Sequence, residues 1–491
     1  MITYFVAFVL SLVVGTATTL VVRNRAHAWN LLDRVGSSRK VHTQAVPRLG
    51  GIAIVAGFFA PLLGLLVADQ SGVGYVFRSD PGVVRGIFAG GLAIALLGLY
   101  DDLRGAGARL KFAVQFAVAS GLYVAGFRVE LLANPFGEPF ALGPLALPFT
   151  LLWIVGVINA LNLVDGLDGL AGGVAFFVVG TNFVLAVARG DVLLALFMAA
   201  LAGAVLGFLV FNFNPASIFM GDTGAMFLGF VLAAVSIKTS SKAGTAVAML
   251  VPIIALGLPI MDTLLAMARR TALGRPLFSA DRDHIHHRLM SRVALSHRNA
   301  VLVMYAICCL FALTALGLAY ANSVQTAMLL SGVAIVVFVL VRKLGYFSRA
   351  EGMQAQAARR RNTELRQVVR DVGDALGRAR TPAEAWEALK VLGPELGLAR
   401  LRLELAAGEE KVTFELSHAA GLSLPVCAQV EVRSGSIAFG RVDATWMDGR
   451  GEVNRDEELA LELLADSLAR RLVALQQGRA AGPDRVVPLR K

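Results

Sequence analysis

Several groups of polar residues interrupt an otherwise apolar sequence, and their types suit work on phosphates. In NALNLVDGLDGLAGG, residues 159–173, Asn159, Asn162, Asp165 and Asp168 recur every third residue. On a helix or a tight helical turn that spacing forms one polar ridge. A lone Asp-Gly could simply cap the following helix, with the glycine allowing close packing. Two Asn, two Asp and four Gly in fifteen residues ask for more. A carboxylate at bilayer depth costs a few kcal/mol at least unless water, a cavity or a cation meets it.

Asp101 and Asp102 are adjacent, with Arg104, Arg109 and Lys111 following. Neighbouring carboxylates repel, so such a pair is held by a cation, split into one ionised and one protonated group, or solvated at a helix end. Asp222 stands in Gly221-Asp222-Thr223-Gly224, where an N-terminal cap would be sufficient explanation for it alone. DRDHIHHRL, residues 281–289, sets His284, His286 and His287 beside Arg282 and Arg288. That cluster suits a transition metal or an anion such as a pyrophosphate. Three ligands in H-x-H-H on one helical turn do not easily face a single ion, which favours the anion. RKVHTQAVPRLGG, residues 39–51, contributes Lys40, His42 and Arg48, which would bind phosphate or only enforce topology. Carboxylates prefer a hard cation, and a site with few fixed oxygen ligands and a phosphate substrate is what Mg²⁺ favours. Carboxylates, a hard cation and Lys, Arg and His groups together describe phosphoryl transfer, where catalysis is mostly positioning and charge neutralisation.

The elements that must position these groups are membrane spans. The 491 residues are 56% hydrophobic and 16% charged, with a mean hydropathy of +0.66, outside the range of soluble globular chains. Apolar runs predict eleven spans, near 3–22, 50–68, 83–99, 110–127, 148–161, 173–188, 191–211, 223–238, 247–268, 300–320 and 324–341. Positive charge then gives the topology. Residues 23–49 carry Arg23, Arg25, Arg34, Arg39, Lys40 and Arg48, and residues 269–299 carry seven Arg, whereas 69–82 and 128–147 carry one Arg each. The positive-inside rule makes the first set cytoplasmic and puts the N-terminus outside. Every polar motif falls on that cytoplasmic side. The formal charge of +11 sits beside the spans, facing anionic lipid, and does not call for nucleic acid. Cys308 and Cys309 within a span and a distant Cys427 give no disulfide framework.

Beyond Val341 the chain turns polar. A helical linker is expected over 346–380, then a small soluble α+β domain over 381–480 and a disordered tail over 481–491. Thr381 and Glu384 form a capping box signature for a helix ending near Gly397. Strands are expected at 399–405, 412–417 and 428–432, with another pair in 435–446, and an amphipathic closing helix over 456–475.

In this order, KVHTQAVPRLGG, Asp101-Asp102 with Lys111 and Gln115, the Asn-x-x-Asn-x-x-Asp-Gly-x-Asp-Gly run, GDTGAMFLG and DRDHIHHRL resemble the polyprenyl-phosphate N-acetylhexosamine-1-phosphate transferases. These are relatives of the phospho-N-acetylmuramoyl-pentapeptide transferase, and the match covers about 35–345. DRDHIHHRL looks like the UDP-N-acetylglucosamine branch. The resemblance implies a polytopic enzyme of the bacterial inner membrane that moves a sugar-1-phosphate from a UDP-N-acetylhexosamine to undecaprenyl phosphate, releasing UMP. It starts a lipid-linked envelope glycan, with Mg²⁺ or Mn²⁺ as cofactor. By motif match, Asp222 would be a metal ligand and Asp101 or Asp102 would orient or deprotonate the lipid phosphate. Asn162, Asp165 and Asp168 would hold the nucleotide and metal region, with Asp165 the second metal carboxylate. Lys111 would hold a phosphate, and His284, His286 and His287 the pyrophosphate and sugar. Where the family usually has Ser after GDxG, Ala225 stands here, so a hydroxyl is missing. The resemblance also makes a homodimer an expectation. The soluble domain looks like a GAF-type sensory module, which implies a regulatory ligand or protein partner. From the spans alone, a secondary transporter is the alternative.

Overall fold

The computed structural model describes residues 2–26, 46–68, 73–132, 134, 139–241, 249–273, 284–346, 349–407, 410–417, 425–435, 437–450 and 453–476. Contacts divide the chain into two compact units, one from residues 1–268 and 280–346 and the other from 269–279 and 347–491. Each has its own hydrophobic core.

The first unit is helical. In chain order it contains α1 (Ile2–Ala26), α2 (Gly51–Ala68), α3 (Val73–Ser79), α4 (Pro81–Arg104) and α5 (Ala108–Val124). A two-stranded ribbon follows, β1 (Leu131–Leu132) with β2 (Phe140–Ala141). Next come α6 (Ala146–Val164), α7 (Leu170–Ala188), α8 (Val192–Asn212), α9 (Gly221–Ser241), α10 (Leu250–Ala255), α11 (Gly257–Leu273), α12 (Ile285–Arg292), α13 (His297–Leu318) and α14 (Ser323–Lys343). Eight of these helices, among the described residues, are long and apolar enough to cross a membrane; the apolar helix at Gly51–Val67 is shorter. The chain is a polytopic membrane protein. The expected span at 247–268 is two helices rather than one. Pro259 lacks an N–H and crowds the carbonyl four residues back, so the helix breaks at Leu256 and restarts at Gly257.

α9 is the centre of this unit, with 94% of its apolar window buried against 6% for α14. It is apolar on all sides, as a helix surrounded by others must be, and it packs against α4, α6, α7 and α2. Such close approach needs small residues. A Cβ on Gly98 of α4 would lie 2.5 Å from the Cα of Thr223, at the first turn of α9.

The second unit holds α15 (Arg349–Arg378), α16 (Pro382–Lys390), α17 (Leu392–Leu396), β3 (Arg400–Ala407), β4 (Glu410–Ser417), β5 (Val426–Ser434), β6 (Ile437–Trp446) and α18 (Arg455–Gln476). Thr381 caps α16 through the Glu384 N–H, but Glu384 accepts from Arg380 N rather than closing the box on Thr381 itself. The sheet is antiparallel throughout, in the order β4-β3-β6-β5. Residues 437–446 form one strand and not the expected pair, because both edges of β6 are taken by β3 and β5. Leu401, Leu403 and Leu405 are buried on one face of the sheet. The alternate residues carry ion pairs, Arg400 with Glu415 at 2.9 Å and Arg441 with Glu404 at 2.9 Å. The predicted tail at 481–491 lies outside the described residues.

Candidate active site

The site is assembled at the ends of helices around the N-terminus of α9. Lys111, in the first turns of α5, places its Nζ 2.7 Å from Asp101 Oδ2 and 2.6 Å from Asp222 Oδ2. One ammonium therefore holds together two carboxylates that come from the end of α4 and the start of α9. Asn162, near the end of α6, donates from Nδ2 to the same Asp222 oxygen at 3.2 Å. The other oxygen of Asp101 accepts from the Ala106 N–H at 2.5 Å. One turn deeper, Asn159 Nδ2 donates to Gln115 Oε1 at 2.7 Å, joining α5 to α6 below the lysine. Gln115 is fully buried, so this amide pair fixes the mutual height of the two helices that carry Lys111 and Asn162.

Asp102 does different work from its neighbour. Its carboxylate accepts from the N–H groups of Asp222 at 2.9 Å and Thr223 at 3.0 Å, and from the Thr223 hydroxyl at 2.6 Å. α9 is thus capped by an acid from another helix, satisfying donors left open at its N-terminus. Both its oxygens hold the backbone at the start of α9, and with it Asp222, in place. Gly221 makes the cap possible. Its φ of +70° is a conformation that side chains rarely adopt, and a Cβ there would come within 2.2 Å of Arg48 O and 2.7 Å of Asp102 Oδ2. The preceding strand of chain is held by residues 47–51, with Phe219 N donating to Pro47 O at 2.7 Å and Gly51 N to Met220 O at 2.7 Å.

The loop between α6 and α7 separates its two acids. Asp168 is 6% exposed and its Oδ2 accepts from Asn214 Nδ2 at 2.9 Å and Ala216 N at 3.1 Å. It ties down the loop that leads into α9. Tyr305 supports the same turn by donating its hydroxyl to Gly169 O at 2.5 Å. Asp165 retains some accessible surface, yet it lies deep among protein atoms. That enclosure, and after it the charges of Asp222 and Asp102, raises its carboxyl from 3.8 to about 7, with Arg48 opposing. The region is short of positive charge.

The histidines also part company. His284 Nδ1 lies 2.9 Å from Asp262 Oδ2. His286 is 1% exposed, and neither ring nitrogen meets a hydrogen-bond partner among the described residues. Its Nε2 abuts the α6–α7 loop, 2.7 Å from where a Cβ on Gly166 would stand. Burial first, and then the neighbouring His287, lowers its pKa to about 3. The three imidazoles therefore sit in different surroundings, His284 against Asp262 and His286 packed on the α6–α7 loop. His287 is stacked obliquely on His286 with centroids 4.3 Å apart. Lys40, His42 and Arg282 lie outside the described residues. Ala225 is fully buried in the core. Asp262 was not among the expected site residues, although a lone carboxylate inside an apolar stretch was a signal for it.

A polytopic membrane protein with an acidic, lysine-bridged site at helix ends is the class that fold and geometry define. Residues 84–240 match the model of Glycosyl transferase family 4. The chain is 40% identical over 317 residues to a Bacillus subtilis protein named as a probable undecaprenyl-phosphate N-acetylglucosaminyl 1-phosphate transferase, covering 64% of this chain and 85% of that one. A decaprenyl-phosphate N-acetylglucosaminephosphotransferase of Mycolicibacterium smegmatis is 39% identical over 328 residues, 62% of this chain and 79% of its own. A phospho-N-acetylmuramoyl-pentapeptide-transferase of Shouchella clausii is 33% identical over 261 residues, covering 50% and 75%. The chain belongs to the glycosyl transferase family 4, among its polyprenyl-phosphate N-acetylhexosamine-1-phosphate transferases.

Proposed function

We propose that this protein transfers N-acetylglucosamine-1-phosphate from a UDP-sugar to undecaprenyl phosphate, releasing UMP and starting a lipid-linked envelope glycan. The observation that carries the reading is the meeting of Asp101, Lys111, Asn162 and Asp222 at helix ends, in a chain whose relatives are named for this transfer. An oxygen of the lipid phosphate attacks the phosphorus that bears the sugar, the bond from that phosphorus to the UMP oxygen breaks, and its electron pair leaves with UMP. Asp101 or Asp102 orients or deprotonates the lipid phosphate. Lys111 neutralises charge between the two carboxylates and moves onto a phosphate oxygen when substrate enters.

The chain's own residues fit a hard divalent cation. Lys111 already marks a point where positive charge sits between carboxylates, and burial, followed by the charges of Asp222 and Asp102, raises the Asp165 carboxyl to about 7. No group of three His, Cys, Asp or Glu side chains converges on one point among the described residues. Mg²⁺, or Mn²⁺, is held by one or two carboxylates together with substrate phosphates. Asp222 and Asp165 would hold it. When bound it would neutralise the charge of the diphosphate.

A transporter would need ionisable groups near the midplane reached from both sides, whereas these acids gather at helix ends. Arginine placement supports eleven spans, with the N-terminus outside and the second unit in the cytoplasm of a bacterium. We read the second unit as GAF-like, supported by its antiparallel sheet with α18 packed against it, with a regulatory ligand or protein partner, and include a homodimer in the same reading. Unchanged activity and assembly after deletion of 350–491 would remove that regulatory role.

The test is transfer of radiolabel by the purified full-length protein with undecaprenyl phosphate, Mg²⁺ and a panel of UDP-N-acetylhexosamines. Labelled lipid with matching UMP release is expected, abolished in Asp222→Asn while the protein stays inserted and folded. Substantial turnover in that variant would sink the role of Asp222, and no transfer with any donor would sink the function.

A further inference from the structure

Asp262 lies inside α11 in the apolar stretch PIMDTLL and is 1% exposed. A carboxylate in that setting is costly unless its oxygens are met by donors. Oδ1 accepts from the Ile285 N–H at 2.7 Å, and Oδ2 faces His284 Nδ1 at 2.9 Å. The first bond is a helix cap delivered from outside. His284 occupies the N-cap of α12, with an extended backbone of φ −68° and ψ 164°, and its side chain makes no capping bond. An imidazole carries no oxygen with which to cap, so the acid of α11 does it instead.

The second bond aims the ring. An ionised carboxylate only accepts, so His284 must donate from Nδ1, which leaves Nε2 as the atom that meets a ligand. The His286 ring lies parallel to it, with centroids 5.7 Å apart and 3° between planes, and so limits its swing. Among the described residues, the titratable groups around the pair include His286 and His287 on α12 and His297 on α13, none of them an acid that could substitute for Asp262.

We propose that Asp262 is the positioning residue of His284, holding the proton on Nδ1 so that Nε2, with its lone pair, is presented as an acceptor to a hydroxyl or N–H group of the nucleotide-sugar donor. The ligand in this statement rests on the transferase reading above; the pairing itself does not. Asp262 is buried and touches no substrate. It acts on α12 as Asp102 acts on α9, an acid of one helix capping the helix that carries the working side chain.

The experiment is ¹⁵N NMR of histidine-labelled full-length protein in nanodiscs, together with donor kinetics. Wild-type His284 should show a protonated Nδ1. Asp262→Asn keeps an oxygen for the Ile285 N–H but can turn an amide donor toward Nδ1, so the proton should move to Nε2. With it, kcat/KM for the donor should fall by roughly 10²-fold or more. Adding His284→Ala to that variant should cost nothing beyond His284→Ala alone, since the two act as a unit. A wild-type His284 protonated only at Nε2 would overturn the proposal without need of any variant. Losses that multiply in the double variant, with His284 signals unchanged by Asp262→Asn, would also overturn it. The NMR result is read without turnover. The expected tautomer in a protein that transfers nothing would therefore sustain the pairing and overturn the donor assignment.

Discussion

Lys111 decides how much negative charge the site can hold before substrate arrives. With its ammonium 2.7 and 2.6 Å from two carboxylates that are 15% and 23% exposed, it is the neutralising group for both. Lys111→Met is expected to lower kcat by at least about 10²-fold in the radiolabel assay, the scale of removing one electrostatic contact to a reacting phosphate. Folded protein with near-normal turnover would refute this. Asp165 gives a prediction in pH. Its folded pKa of about 7 stands above the ordinary 3.8, so between those values the folded protein holds more protons than the unfolded. Metal-free stability therefore falls as pH rises through that window and levels off above about 7. A cation held by Asp165 must displace the same proton. Calorimetric Mg²⁺ affinity should rise by up to about tenfold per pH unit below that point and flatten above it, and Asp165→Asn should lessen the slope near pH 7.

At the scale of elements, the first turn of α9 is the joint on which the site depends. Gly221 has a φ of +70°, and a Cβ there would meet Arg48 O at 2.2 Å. Gly221→Ala should cost roughly 1–3 kcal/mol from backbone strain and displacement of residues 47–51. Because Asp222 is the next residue, transfer should fall further than melting temperature, and both are measurable on one preparation. Much of this layout was legible in the sequence. Long apolar runs announce spans by length alone, and Asp101, Asp222 and the Asn159–Asp168 ridge stand out because polar groups are costly among them. What was not legible is which partner each acid chooses. Asp101 and Asp102 are identical in type and adjacent, yet one meets Lys111 and the other caps α9, a choice set by helix packing across 120 residues of sequence. Asp262 was hidden for the same reason, since its partners come more than twenty residues later in the sequence. The break at Leu256 was missed because hydropathy continues across it while the hydrogen-bond ladder does not.

At the scale of the molecule, two separate cores predict two separate unfolding transitions. A ligand that binds only one folded unit raises only that unit's transition, by mass action. Mg²⁺ with UDP-N-acetylglucosamine should therefore shift the membrane unit alone in scanning calorimetry of the full-length protein. The second unit offers the converse. Glu457, at the start of α18, is 1% exposed and is held by Arg361 of α15 and by Arg450, whose Nη1 lies 2.5 Å away. Removing one member of a buried ion pair strands the others, at about 3–5 kcal/mol when all are enclosed. Arg361 is 55% exposed, so water recovers part of that, and Glu457→Gln should cost nearer ~2–3 kcal/mol. The expected trace is a lowered second transition with the ligand-responsive one in place. If both transitions moved together under either change, the two cores would be one cooperative system, and signals from the second unit would reach the site through shared stability rather than through a bound partner.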